Sequence, residues 1–373
     1  MNAQPESMSE ILELLHERFH NHGGKTVLSD HNSHISYIDL WRRADGLSRY
    51  LAAQGIKPGD RVALLASPGI DWGIAFFGVL LSGAILVPLD TLMSVQEMRE
   101  IITHAEPSML ISTEDFKDQG ADLAQIFPHI VLGMGLEMSE SNAVVNLGDR
   151  SADDVMAIMY TSGTTGAPKG IMATYNNLLS QIREMGGFMG YEPDDVSLSV
   201  LPLNYMMELT IGFLCPLYVG ARVHFCDSFY PQDILAAARE HNIAFMVTVP
   251  RLLKLMRRMI GDTTNPLGNN LKGIICGGAP VSADHLKYFQ NIGVGVYQGY
   301  GTTETSPVIA TNSPAHNRLG SVGLPYPGVA VKIAGDEEIL VRGPNVMKGY
   351  FKDEEQTNII LRNGWLHTGD LGS

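Results

Sequence analysis

The sequence predicts an α/β protein with two α/β subdomains built on mainly parallel sheets, followed by a small distorted β-barrel. Three observations carry this expectation. Short runs of Val, Ile, Leu and Met alternate along the chain with stretches whose apolar residues recur at helical spacing. Of the 373 residues, 45% are hydrophobic and 18% charged, enough to fill the cores of two or three globular units. Beyond residue 305, glycine and proline recur every few positions (Gly320, Gly323, Pro325, Pro327, Gly328, Gly335, Gly343, Pro344), which marks short strands joined by tight turns.

In chain order, residues 61–66 read as a strand, 70–81 as a buried helix, 84–87 as an inner strand and 95–104 as a helix, with further strands at 109–111 and 155–160. Residues 72–89 carry no charge between Asp71 and Asp90, close to the ~20 residues of a membrane span. Gly83 and Pro88 interrupt that run, so it is read as helix, turn and strand. A second group of strands follows at 196–201, 221–225, 244–249, 273–276 and 293–297, with amphipathic helices at 231–241, 250–260 and 282–290 between them. The runs 329–333 and 338–341 belong to the β unit. The expected divisions are 1–178 and 179–304 for the α/β subdomains, with 1–55 able to pack on the second, and 305–373 for the β subdomain.

Lys and Arg total 26 against 40 Asp and Glu, a net charge of −14, so a nonspecific grip on nucleic acid is not expected. An anionic ligand would have to be held by local backbone amides and a few placed cations. Cys215, Cys226 and Cys276 lack CxxC spacing and read as reduced thiols, and the N-terminus has no secretory pattern, which together suggest a cytoplasmic protein. Peripheral membrane contact stays open; a membrane span is not expected. His16, His20 and His22 lie among Glu13 and Glu17 and read as an exposed polar helix face in preference to a metal site.

The most informative stretch is residues 160–170, YTSGTTGAPKG, with four Ser/Thr hydroxyls, three glycines and Lys169 directly after a strand. Glycines let amides converge on phosphate oxygens, hydroxyls add donors, and the lysine adds a mobile charge. It is not a Walker A loop, because Lys169 follows Pro168 and precedes Gly170.

With this loop the chain resembles the adenylate-forming superfamily of acyl-CoA synthetases, luciferases and peptide-synthetase adenylation domains, and is most similar to its fatty-acid CoA ligases. The resemblance extends over residues 80–90 (LLSGAILVPLD), 201–204 (LPLN), 276–280 (CGGAP), 298–307 (QGYGTTETSP), 320–323 (GSVG), 343–350 (GPNVMKGY) and 364–370 (GWLHTGD). It implies activation of a carboxylic acid by ATP to an acyl-adenylate, then transfer to CoA, with Mg²⁺ as the metal. It implies that Thr161, Ser162, Gly163, Thr164, Thr165, Gly166 and Lys169 hold the β- and γ-phosphates of ATP. Gly277, Gly278, Ala279 and Pro280 would lie along adenine, Tyr300 would stack on it within Gly299, Gly301 and Thr302, Thr303 would bind the α-phosphate, and Asp370 the ribose. Glu304, with Thr161, would hold Mg²⁺; Thr161, Lys169, Thr303 and Glu304 form the implied catalytic set. Tyr205, Met206, Gly277 and Gly301 would border the acyl group.

The Phe-Asp pair that holds an amino acid's amino group in peptide-synthetase domains is absent from residues 204–210 (NYMMELT), which disfavours a free amino acid. The apolar continuation through Met206, Met207, Ile211, Phe213 and Leu214 suits an acyl tunnel or ordinary core packing. Relatives continue past the position matching Ser373 with a hinge, a ribose-binding arginine and a mobile C-terminal domain, so the chain is expected to represent the large N-terminal domain and to form adenylate slowly alone. Two other readings stand beside CoA ligation: loading of a carrier-protein phosphopantetheine, and a non-catalytic nucleotide or acyl-adenylate binding module.

Overall fold

The computed structural model describes residues 8–133, 151–162, 168–261 and 266–373, with 8–14 and 162 in backbone only. The chain opens with α1 (Met8–His22), an antiparallel pair β1 (Thr26–Ser29) and β2 (His34–Ser36), and α2 (Tyr37–Ala53), whose N-cap Ser36 accepts from the Asp39 amide. β3 (Arg61–Leu65), α3 (Ile70–Ser82), β4 (Ile85–Pro88), α4 (Val95–Ala105), β5 (Met109–Thr113), α5 (Lys117–Leu123) and β6 (His129–Leu132) then alternate. α3 is apolar on every side and buried from Trp72 to Ser82, which is why its sequence imitates a membrane span. Gly78 lets α2 approach, since a Cβ there would fall 2.6 Å from a Leu47 methyl, and Gly83 ends the helix at φ 73°. Among the described residues no helix is long and apolar enough to cross a membrane.

β7 (Val155–Ser162) and β8 (Pro168–Thr174) form an antiparallel hairpin, followed by α6 (Tyr175–Met189) and β9 (Val196–Ser199). A π-helical segment, Glu208–Leu214, runs into α7 (Cys215–Val219). Next come β10 (Arg222–Phe225), α8 (Pro231–Glu240), β11 (Phe245–Thr248), α9 (Pro250–Ile260), β12 (Gly273–Cys276), α10 (Ala283–Asn291) and β13 (Val296–Tyr300). The last part holds β14 (Ala310–Thr311), β15 (Leu324–Pro325), β16 (Ala330–Ile333), β17 (Glu338–Arg342), β18 (Gly349–Tyr350), α11 (Glu354–Ile360), β19 (Leu361–Arg362) and β20 (Trp365–Leu371).

Two large sheets result. The first has the order β18-β8-β7-β4-β3-β5-β6, parallel from β7 to β6; the second runs β15-β14-β13-β12-β11-β9-β10-β1-β2, parallel from β13 to β1. β9, β11 and β12 are buried along their whole length, as the near-continuous apolar runs of central parallel strands require. The sheets do not follow chain order: β1 pairs with β10, and β18 joins the first sheet through β8. Tyr37 reinforces the first crossing, its buried hydroxyl donating to the carbonyls of Leu217 and Ala221.

The third sheet, β16-β17-β20-β19, is antiparallel and open, where the sequence suggested a distorted barrel. β19 has only two residues, and closure would need strands long enough to tilt and stagger around a common axis.

Candidate functional site

A cleft of about 660 Å³ opens at the C-terminal ends of the parallel strands, the usual ligand position in open α/β sheets. Its polar side is built by the chain leaving β13. A Cβ on Gly301 would overlap the Pro307 carbonyl oxygen, so this close approach admits only glycine. The next residues tighten into a single 3₁₀ turn, Thr303–Thr305, with Thr302 and Thr305 capping each other. Gly299, Tyr300, Gly301, Thr302, Thr303 and Glu304 consequently line the cleft together, with Thr161 at the end of β7.

Two hydrogen bonds orient this side. Tyr300 Oη donates to Asp370 Oδ2 at 2.8 Å, joining β13 to β20, and burial raises the Tyr300 hydroxyl so that it stays a donor. Tyr350 Oη donates to Glu304 Oε1 at 2.9 Å; burial and the Glu304 charge hold that hydroxyl protonated as well. Lys169 Nζ lies 5.5 Å from the centre of the Tyr350 ring, within cation–π range. Lys169 lines an adjoining groove with Arg99, His104, Tyr350 and Lys352, not the cleft that holds Thr161.

The opposite side is apolar. Gly277 and Gly278 leave β12, and a Cβ on Gly277 would lie 2.8 Å from Met207 Sδ, while Gly278 takes φ +81°. Ala279 and Pro280 follow as exposed residues outside the lining set. Tyr205, Met206, Met207, Ile211, Val249 and Ile275 complete this wall. Tyr205 is 44% exposed, and burial of the rest of the ring, with Asp90 nearby, raises its hydroxyl. Gly163, Thr164, Thr165 and Gly166 lie outside the described residues, and Ser162 is seen only through its backbone pairing with Pro168.

Three buried amides that sequence reasoning passed over hold the polar turn in place. Asn345 Nδ2 donates to the carbonyls of Thr305 (3.1 Å) and Val308 (3.0 Å). Asn177 Nδ2 donates to the carbonyls of Pro344 and Val346, and Gln181 Oε1 accepts from the Val308 amide. The only sequence signal was the place of Asn345 inside the 343–350 motif. Behind the apolar wall, Glu208 is wholly buried, and desolvation pushes its carboxyl up to about 8. Among the described residues no three His, Cys, Asp or Glu side chains gather to hold a metal ion.

The family model described as "AMP-binding enzyme" matches residues 15–351. The chain is 32% identical to a feruloyl-CoA synthase from an Amycolatopsis species, over 91% of this chain and 71% of that protein. It is 30% identical to a 2-succinylbenzoate–CoA ligase of Bacillus cereus, over 93% of this chain and 72% of the relative. The crystal structure of ATP-bound MatB from Rhodopseudomonas palustris superposes with a TM-score of 0.86 at 29% identity, covering 96% of this chain and 76% of that one.

Proposed function

We propose, from the premise that this chain belongs to the AMP-binding enzyme family, that it takes part in ATP-dependent ligation of a carboxylic acid to CoA through an acyl-adenylate. The carrying observation is one cleft in which the hydroxyl- and glycine-rich turn 299–304 faces the apolar wall of Tyr205, Met206, Met207 and Ile211. A nucleotide and an apolar acid body can meet there. CoA synthase and ligase relatives, and an ATP-bound structural neighbour, support the same reading.

In this reading an oxygen of the substrate carboxylate forms a bond to the α-phosphorus of ATP, the bond from that phosphorus to the β-bridging oxygen breaks, and pyrophosphate leaves. The CoA sulfur then attacks the acyl carbon, its thiol proton passing to solvent, and AMP leaves with the C–O electron pair. No protein nucleophile enters; positioning and charge stabilisation do the work. Tyr300 and the Gly277–Gly278 backbone would flank adenine, and Asp370 would accept from ribose hydroxyls with the oxygen not facing Tyr300. The hydroxyls of Thr302 and Thr303 would donate to the α-phosphate, and Thr161 with Ser162 to Gly166 would wrap the outer phosphates. Lys169 would join them by leaving the Tyr350 ring. Glu304 and Thr161 offer hard oxygen donors that fit Mg²⁺, an ion that takes most of its ligands from phosphates and water. When bound, Mg²⁺ would neutralise phosphate charge, and the Tyr350 hydrogen bond would hold the Glu304 carboxylate for that role.

The acid is proposed as one with an apolar body. A fatty acid is supported only by the methionine-rich wall, whereas the similar enzymes are named for feruloyl and 2-succinylbenzoyl acids, which favours an aryl acid. The test is acid-dependent exchange of labelled pyrophosphate into ATP, run with aliphatic acids of graded length and with aryl acids. A set of acids of one class is expected to promote exchange in wild type and not in Glu304→Ala. If no acid promotes exchange and calorimetry detects no ATP binding, the proposal fails.

A further inference from the structure

We propose that the outward face of α9 docks the protein onto an anionic membrane surface. α9 begins at Pro250, directly after the cleft residue Val249, and packs between α8 and α10. It turns Leu252, Leu253, Met256 and Ile260 into the core. At 3.6 residues per turn this leaves Arg251, Lys254, Leu255, Arg258 and Met259 outside as a single stripe over two turns, all five of them exposed.

The stripe is unusual on two counts. α9 carries four cations and no acid in a chain of net charge −14. Arg257 is answered by Asp284 at 2.6 Å, while Arg251, Lys254 and Arg258 have no ion pair among the described residues. Exposed Lys287 on α10 adds a further cation nearby. Between the cations stand two apolar side chains, Leu255 at 38% and Met259 at 54% exposure. Basic residues interleaved with apolar ones on one helical face suit a helix lying in the headgroup plane, with cations at phosphates and apolar tips at the acyl boundary. A nucleic-acid backbone would engage the cations and leave Leu255 and Met259 in water, whereas a bilayer offers phosphates and an apolar layer side by side. The remaining acids of the chain do not cancel the attraction at physiological salt, because charges more than about 8 Å away are largely screened. Such docking would bring the mouth beside Val249 toward a reservoir of apolar acids. Vesicle binding requires neither ATP nor acid, so its outcome is independent of the ligation reading.

The experiment is vesicle flotation of the full chain. It is expected to float with vesicles of phosphatidylcholine mixed with phosphatidylglycerol and not with phosphatidylcholine alone, and to be released as salt rises. Each removed cation should weaken binding about fivefold, so the combined Arg251→Glu, Lys254→Glu, Arg258→Glu variant should lose about a hundredfold or more. Leu255→Ser with Met259→Ser should lower the salt concentration at which release occurs. All five positions are exposed, and unchanged melting temperatures will establish that the variants fold. Equal binding to neutral vesicles, no flotation, or full binding by the charge-reversed variant overturns the proposal. Retention on heparin or polyglutamate without vesicle binding also overturns it and reassigns the face to an acidic macromolecule.

Discussion

Gly301 sets the geometry of the cleft by what it lacks. With the Pro307 carbonyl oxygen where a Cβ would be, Gly301→Ala must push the 302–309 turn away from β13. Overpacking of this kind costs about 1–3 kcal/mol, and the displaced groups are the ones that face the cleft. The expected outcome is a lower urea midpoint together with loss of ATP binding in calorimetry; ATP affinity equal to wild type would show that the turn does not contact the nucleotide. Of the residues the sequence singled out, Thr161, Gly277, Gly278 and 299–304 line one cleft, so their grouping was legible beforehand. Lys169 lies in the adjoining groove beside Tyr350, a neighbour set by the β8–β18 pairing that the local sequence does not encode.

At the scale of elements, α6 is the post on which the site is hung. Thr174 and Asn177 cap its N-terminus reciprocally, and the free amide of Asn177 then reaches the 344–346 carbonyls. Asn345 passes the restraint on to Thr305 and Val308, while Gln181 takes the Val308 amide and accepts Tyr326 on its own carbonyl. Asn345→Ala leaves two buried carbonyls unanswered, at a cost of about 1–3 kcal/mol. Its expected signature is faster hydrogen exchange across residues 302–309 with α3 unaffected; uniform exchange would place the role of Asn345 elsewhere. The helices and inner strands were readable because their periodicity is local. Amide side chains carry no periodicity, and whether an asparagine faces solvent or a carbonyl follows from tertiary approach.

For the molecule as a whole, two buried groups set opposing pH trends. Glu208 holds its proton to about 8 in the folded chain but ionises near 4.5 when unfolded, so the native state binds the extra proton and stability falls as pH rises between those values. His224 stacks on His241 at 3.6 Å, and burial first, then His241 and Arg222, lowers it to about 4, so its contribution is lost as pH falls from 6.5 toward 4. The two slopes, each about 1.4 kcal/mol per pH unit at most, cancel between 4.5 and 6.5 and leave the Glu208 loss above 6.5. Urea midpoints measured against pH should therefore show Glu208→Gln gaining on wild type steadily from pH 4.5 to 8; parallel profiles would mean that Glu208 is already ionised in the fold. The α/β class and both parallel groups were legible at this scale. The membership of β1 and β2 in the far sheet was expected only as packing, and the open third sheet replaced a barrel because two-residue strands cannot close one.

The pairing of β1 with β10 also has a consequence for synthesis. Ser29 meets His224 across 195 residues of sequence, so a chain emerging from the ribosome makes the first strand long before its partner exists. At roughly 5–20 residues per second that interval is on the order of ten to forty seconds. Throughout it Val27 and Leu28, fully buried in the finished protein, have only β2 to pair with and no parallel sheet to enter. The opening segment must wait for the middle of the chain, and it is the part that a nascent-chain chaperone would have to shield.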